Sequence, residues 1–235
     1  MKKRILLFVT LVAAFTFADG GQKGSFTDPR DGKTYKTVKI GNQVWMAENL
    51  NYKTANSYCY EDKLANCHKY GRLYTWAVAM DSAGVFSNDG KGCGEGKTCA
   101  AKKSVRGICP KGWHLPSDNE WKTLFEAVGR EYRETELGDI TIRIYTAAGK
   151  KLKSKSGWDD DNGTDDYGFS VLPAGLRYGD GNYSNGGKYA SFWSSTEDRS
   201  FNAYDWYFLY GSGCVNSFFS LKGYGYSVRC LRDSD

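Results

Sequence analysis

The chain has 235 residues, with 32 Lys and Arg against 27 Asp and Glu for a formal net charge of +5, and it carries 17 Tyr, 7 Trp and 28 Gly. The length suits one large domain, and no Pro-rich, Ser-rich or single-charge linker divides it. Lys2, Lys3 and Arg4 sit at the amino-terminal tip, so without them the net charge falls to +2 (5 − 3), a balance that excludes nucleic acid and anionic membrane as expected partners.

That basic tip is followed by an apolar run from Ile5 to Phe17 and by the small Ala18 before Asp19, which is the build of a secretory signal peptide over residues 1–18. The run is too short to remain as a membrane anchor, and no Cys follows Ala18 to take a lipid. The expectation is therefore a secreted or cell-surface protein with no transmembrane segment once the signal is removed. Residues 19–33 read as an amino-terminal linker and 34–233 as a single domain. Thr34 to Ile40 alternates as a strand, Gly41 and Asn42 form a two-residue turn, and Gln43 to Ala47 returns, which is a β-hairpin signature. Leu73, Trp76, Ala77 and Met80 recur at i, i+3, i+4 and i+7 and predict a helix ending near Gly84. A Gly-, Lys- and Cys-rich insertion, Asn88 to Lys103, follows.

The segment from Cys109 to Trp121, CPKGWHLPSDNEW, organises the rest. Ser117 and Glu120 have the capping-box spacing, so each side chain can satisfy a backbone N–H that a helix's first turn leaves unpaired. Trp121, Leu124, Phe125 and Val128 then place four large apolar groups on one helix face, and Gly129 stands where a left-handed cap is expected. Ile140 to Tyr145 alternates as a strand, and Ala147 to Lys153 reads as a short helix. From Tyr167 onward, short apolar runs in a Gly-, Tyr-, Ser- and Asn-rich background predict short strands joined by long polar loops. The fold class expected is α+β, with an antiparallel sheet and two principal helices.

Export places the seven cysteines in an oxidising compartment, where pairing is the default. Cys59 with Cys67 and Cys93 with Cys99 can each staple a local loop, and Cys109 with Cys230 can tie the central stretch to the last strand. Cys214 is then left over as a free thiol. Spacing alone leaves the connectivity open, since Cys214 can stand in for a partner in any of these pairs.

Taken together, DPRDGKTYKTVKIGNQVWMAENLNY, YGRLYTWAVAM, CPKGWHLPSDNEW, YGFSVLPAGLRY, FWSSTED and YSVRCLRD resemble the successive motifs of the Fibrobacter succinogenes major paralogous domain, from about Phe26 to Asp233. That family is similar to the formylglycine-generating enzyme and C-type-lectin-like superfold: WHLPSDNEW resembles the enzyme's RLPTEAEWE segment and YSVRCLRD its closing GFRC strand. The resemblance implies a secreted or cell-surface protein with a C-type-lectin-like, sulfatase-modifying-factor-like fold. The enzymes bind copper through two cysteines five residues apart ahead of the closing strand, whereas Cys214 is followed five residues later by Phe219, and one thiolate does not make that site.

Other sites weigh less. Gly96, Lys97 and Thr98 end like a phosphate-binding loop, but the position of its first Gly holds Lys91. Of the two histidines, His68 follows Cys67 in a loop and His114 reads as a packing residue beside Trp113. No GxSxG or HExxH motif occurs. Asp159, Asp161 and Asp165 crowd one loop and are the candidate ligands of a calcium ion, against the reading of a solvated turn; no other cofactor is expected. Glu197, Asp198 and Asp205 are candidates for the paired carboxylates of a glycosidase. The composition between Leu176 and Tyr226 says more. Tyr178, Tyr183, Tyr189, Tyr204, Trp206, Tyr207 and Tyr210 interleave with Gly, Ser and Asn, a mixture that buries area at low entropy cost in recognition loops. The expected function is an exported, non-catalytic recognition module that binds an extracellular polysaccharide or surface protein through Tyr178, Tyr183, Asn185, Tyr189, Trp206, Tyr210 and Asn216. A carbohydrate-active or other hydrolytic enzyme and a structural cell-surface protein are the alternatives.

Overall fold

The computed structural model describes residues 21–234 apart from Ala100, Lys102 and Asp139; the expected signal peptide lies outside the described residues. The opening hairpin forms as its alternation predicts, with β2 (Thr34–Ile40) paired to β3 (Gln43–Met46) across Gly41 and Asn42. It is preceded by β1 (Gln22–Thr27), which pairs with β2 along its whole length, so the stretch read as a linker supplies an edge strand. The elements that follow are β4 (Ser57–Tyr58), a 3-10 turn at Tyr60–Asp62, α1 (Leu64–Tyr70), β5 (Leu73–Tyr74), α2 (Trp76–Ala79) and β6 (Trp113–His114). The helix expected from Leu73 onward is only one turn long, because Leu73 and Tyr74 are drawn into a strand between β4 and a late strand at Tyr226–Ser227.

The principal helix, α3 (Asp118–Val128), starts as its sequence dictates. Ser117 Oγ accepts from the Glu120 N–H at 3.3 Å, and Glu120 Oε2 accepts from the Ser117 N–H at 2.8 Å. Its end differs from expectation: Gly129 has φ −174°, extended backbone rather than a left-handed cap. The chain then turns into the hairpin β7 (Tyr132–Leu137) and β8 (Ile140–Tyr145), followed by α4 (Ala148–Leu152). The Tyr-rich region is not mainly loop. It folds into β9 (Ala174–Arg177), β10 (Tyr183–Gly186), β11 (Tyr189–Glu197), β12 (Asn202–Leu209), β13 (Val215–Leu221), β14 (Tyr226–Ser227) and β15 (Leu231–Arg232).

Two sheets result among the described residues. One has the order β1-β2-β3-β15-β6; the other runs β4-β5-β14-β11-β12-β13-β8-β7, with β9 joining β10 to β11. Pairing is antiparallel apart from one-residue parallel contacts of β11 with β14 and with β9. The architecture is therefore α+β with a dominant sheet component.

The apolar face of α3 lies between the sheets. Trp121, Leu124, Phe125 and Val128 pack with Val38, Ile40 and Trp45 of the first sheet and Phe192, Trp206 and Phe208 of the second. Ring centroids are 4.6 Å apart for Trp45 and Trp121 and 4.8 Å for Phe125 and Trp206. A second cluster gathers Met46, Leu50, Trp76, Trp113, Trp193 and Val228 around Cys109 and Cys230. All three expected disulfides are present, Cys59–Cys67, Cys93–Cys99 and Cys109–Cys230, and Cys214 is the free cysteine among the described residues. The 121-residue separation of Cys109 and Cys230 gives a stabilisation of about 4 to 5 kcal/mol in the chain-entropy model. No helix among the described residues is long and apolar enough to cross a membrane.

Candidate functional site

The structure sorts the residues expected to bind a ligand into three groups. Trp206 and Asn216 are removed from the set by burial. Trp206 is wholly inside, its Nε1 donating to Asp118 Oδ1 at 3.0 Å, and Asn216 is a buried β13 residue flanked by Tyr207 and Ile144. Both lie in strands inside the second sheet, where neither presents an exposed side chain for a ligand to grip. Tyr189 and Tyr210 form a second group: Tyr189 stacks on Tyr207 with centroids 6.4 Å apart, and exposed Tyr210 has the Lys188 ammonium 5.8 Å from its ring.

Tyr178, Tyr183 and Asn185 belong to a third group, the β9–β10 hairpin, and this is where aromatic rings converge. Tyr183 pairs with Arg177 in the register of the hairpin. The Arg177 guanidinium lies 3.9 Å from the centre of the Tyr58 ring and 5.9 Å from that of Tyr183, a double cation–π contact. Its Nη1 donates to Tyr178 O at 3.3 Å, while its Nε, also shielded, has no partner among the described residues. Tyr183 meets Tyr60 edge-on at 5.5 Å, and its hydroxyl donates to Asp62 Oδ1 at 2.6 Å. Partial burial, reinforced by the Asp62 carboxylate, pushes the Tyr183 phenol up to about 12, so it remains a neutral donor at physiological pH. Tyr178 in turn packs edge-on against Tyr224 at 5.3 Å.

Local backbone makes this face. The Tyr60 ring lies against Gly175 and Gly186, where a Cβ at either position would come within 2.6 Å of ring atoms, and the Gly186 N–H donates to the Tyr60 hydroxyl at 3.0 Å. Glu61 and Asp62 both take left-handed backbone, with φ of 54° and 55°, a conformation that costs non-glycine residues roughly 1 to 2 kcal/mol each. The Cys59–Cys67 bridge and the Asn66 amide, which donates to Tyr60 O at 2.9 Å, hold the turn in this shape. Asn185 likewise has φ 62°, the left-handed turn position that Asn tolerates. Tyr58, Tyr60, Asp62, Arg177 and Tyr224 were not legible as site residues, because Tyr58, Tyr60 and Asp62 meet the β9–β10 hairpin from more than one hundred residues away and the Arg177–Gly225 bridge brings in Tyr224.

The other candidates are committed elsewhere. Asp161 Oδ1 accepts from Lys150 at 2.6 Å, Asp165 accepts from the Ser170 N–H and hydroxyl at 2.7 and 2.5 Å, and Asp159 lies against Gly187. The three aspartates thus face different partners, and no group of three or more His, Cys, Asp or Glu able to hold a metal occurs among the described residues. Glu197 pairs with the buried Lys222 and accepts from the Cys99 N–H at 3.0 Å; Lys222 also donates to Lys97 O and Ser200 O at 2.9 Å each. That clamp is structural: it fixes the Cys93–Cys99 loop, in which Gly96, Lys97 and Thr98 sit. Asp198 neighbours Arg199 at 3.5 Å, and Asp205 is interior. His114 is buried, as a packing residue would be, with Nδ1 2.7 Å from Asp233 Oδ1 and Nε2 3.0 Å from Glu120 Oε1. Burial opposes its charge, but the two carboxylates outweigh that and raise its pKa.

Fold and site together define a disulfide-stapled α+β domain that presents clustered tyrosines around an arginine. The chain matches the model of the Fibrobacter succinogenes major domain over residues 38–232, and it belongs to that family. No curated protein and no solved structure matches it.

Proposed function

We propose that the chain is an exported, non-catalytic recognition module that holds an extracellular polysaccharide against the face formed by Tyr58, Tyr60, Tyr183 and Arg177. The observation that carries the reading is Arg177, whose guanidinium lies against two tyrosine rings at the centre of that face. Rings give apolar area for the faces of sugar rings, and fixed donors select their hydroxyls. Three disulfides support an extracellular setting, since such bonds persist where the environment is oxidising. The C-type-lectin-like assignment draws support from β15, which returns between β3 and β6 and is tied to the α3 approach by Cys109–Cys230.

The test is a cellulose pull-down and neutral-glycan array, comparing the protein with the double variant Tyr58→Ala/Tyr183→Ala. At least one neutral polysaccharide is retained by the parent and lost at least tenfold by the variant, with its melting transition still cooperative. Absence of binding to any glycan, or binding untouched by the two changes, defeats the reading.

A further inference from the structure

A second concavity, distinct from the tyrosine face, lies where the β2–β3 hairpin, the end of α1 and the loop between α4 and β9 meet. Its volume is about 530 Å³, within the range of small-ligand sites. Its charge is one-sided. Lys33, Lys36, Lys69, Lys155 and Arg229 line it together with His68, against two carboxylates, Glu48 and Asp165. A chain whose net charge is small has therefore concentrated cations from four separate segments into one groove.

Some of these charges are committed within the protein and others are not. Lys33 is spent on Asp31 Oδ2 at 2.9 Å and Asn51 O at 2.8 Å. Glu48 Oε2 accepts from the Lys36 N–H at 2.7 Å, and both oxygens of Asp165 are taken by Ser170. Both acids hold the walls while keeping their negative charge, and both favour the charged form of Arg229, Asp165 more than Glu48. Arg229 forms the floor: it is buried, its Nε donates to Asn49 Oδ1 at 2.9 Å, its Nη2 donates to Ser170 O at 3.0 Å and its Nη1 donates to Phe169 O. All three acceptors are neutral, so its positive charge has no direct ion-pair partner among the described residues, and burial lowers its pKa. Lys36 and Lys155 are exposed and likewise have no side-chain partner among the described residues, while Lys69 rests over the Tyr70 ring at 4.7 Å. Three exposed ammonium groups thus line the same groove as a fixed guanidinium.

The walls are rigid. Asn49 Nδ2 donates to Tyr70 O at 2.9 Å, the Arg72 N–H donates to Leu50 O at 3.0 Å, and Cys67 is bridged to Cys59. Between the cations lie the Asn51 amide and the Ser156 hydroxyl, neither of which has a side-chain hydrogen bond among the described residues. A bare inorganic oxyanion uses only the donor atoms of these groups and leaves the amide and hydroxyl oxygens without a donor. A ligand that bears hydroxyls beside its negative charge uses both.

We propose that this groove binds a carboxylate-bearing sugar, a uronic acid residue of an acidic polysaccharide, with Lys36, Lys69 and Lys155 pairing with the carboxylates over Arg229. The probe is polygalacturonate, embedded in native gels and titrated calorimetrically at low and high salt, with neutral dextran and dextran sulfate run in parallel. The parent protein is retarded by polygalacturonate and not by dextran, and 0.5 M salt weakens the interaction at least tenfold, as pairing at an exposed groove requires. Lys36→Ala/Lys69→Ala/Lys155→Ala raises the apparent dissociation constant at least tenfold, whereas the charge-matched control Lys39→Ala/Lys91→Ala/Lys111→Ala changes it less than threefold. All six positions are exposed, so folding is preserved in both variants. Absence of retardation by polygalacturonate, equal losses in the two triple variants, or tighter binding of dextran sulfate each overturns the proposal. Because the tyrosine face is read with neutral glycans and the variant Tyr58→Ala/Tyr183→Ala, either site can fail while the other stands.

Discussion

Asp205 puts a carboxyl group inside the second sheet. It sits in β12 between Trp193 and Phe218, 2% exposed, with Oδ1 lacking a hydrogen-bond partner among the described residues. Burial pushes its pKa from 3.8 to about 7, and the Ser220 hydroxyl offsets only part of that. A folded-state pKa above the unfolded one means that the folded protein holds the proton more tightly. The residue is therefore harmless when both states are protonated, below pH 3.8, and increasingly costly as pH rises to about 7. This is the opposite of the usual ion-paired carboxylate. At about 1.4 kcal/mol per pH unit the cost grows to about 4 kcal/mol above neutrality. Asp205→Asn removes the titration while keeping the shape. Urea unfolding of both proteins from pH 4.5 to 8.5, disulfides intact, should show the variant gaining on the parent by about 3 kcal/mol across that range. Any constant offset from the new amide is independent of pH, so the slope is the readout. A difference that stays flat, or that moves against the variant as pH rises, refutes the argument that this carboxyl is desolvated.

In the His114 cluster the base titrates in the same direction as Asp205, stability falling as pH rises, and the acid in the opposite one. A raised histidine pKa gives stability that is complete below 6.5 and lost as pH rises through the folded value, while the lowered Glu120 pKa gives stability complete above 4.5 and lost as pH falls through the folded value. In an Asp205→Asn background, His114→Gln should therefore cost most between pH 4.5 and 6.5, about 1 kcal/mol after allowing for the solvent exposure of both carboxylates, and less at pH 8.5; equal costs at the two pH values would count against the ion pairs. Cys230→Ser should lower unfolding stability by about 4 kcal/mol and leave a free thiol at Cys109; calorimetry showing an unchanged melting temperature would contradict the tie.

Local signals were the readable ones. The Ser117–Glu120 box, the β2–β3 turn and the apolar face of α3 each depend on residues within one or two turns of one another, so sequence alone carried them. Leu73 illustrates where that fails: its spacing suits a helix, yet ladder pairing with Tyr58 and Ser227 captures it. Trp206 illustrates a second limit. Alternation along β12 separates Trp206 and Phe208 from Asp205 and Tyr207, but it does not say which of the two sets is covered, which for Trp206 and Phe208 depends on the packing of α3. The Arg177 and Arg229 surroundings are assembled from segments more than one hundred residues apart, and no periodicity encodes that.

Sheet position and synthesis order run against each other in β15. Its residues, 231 and 232, occupy the slot between β3 and β6, whose residues emerge well over one hundred positions earlier. Until that slot is filled, both neighbours present open backbone edges that invite pairing with other chains. A chaperone or translocation partner that shields those edges would therefore act until Leu231 and Arg232 have emerged, and a truncation just before Leu231 should behave as an aggregation mutant rather than a trimmed domain.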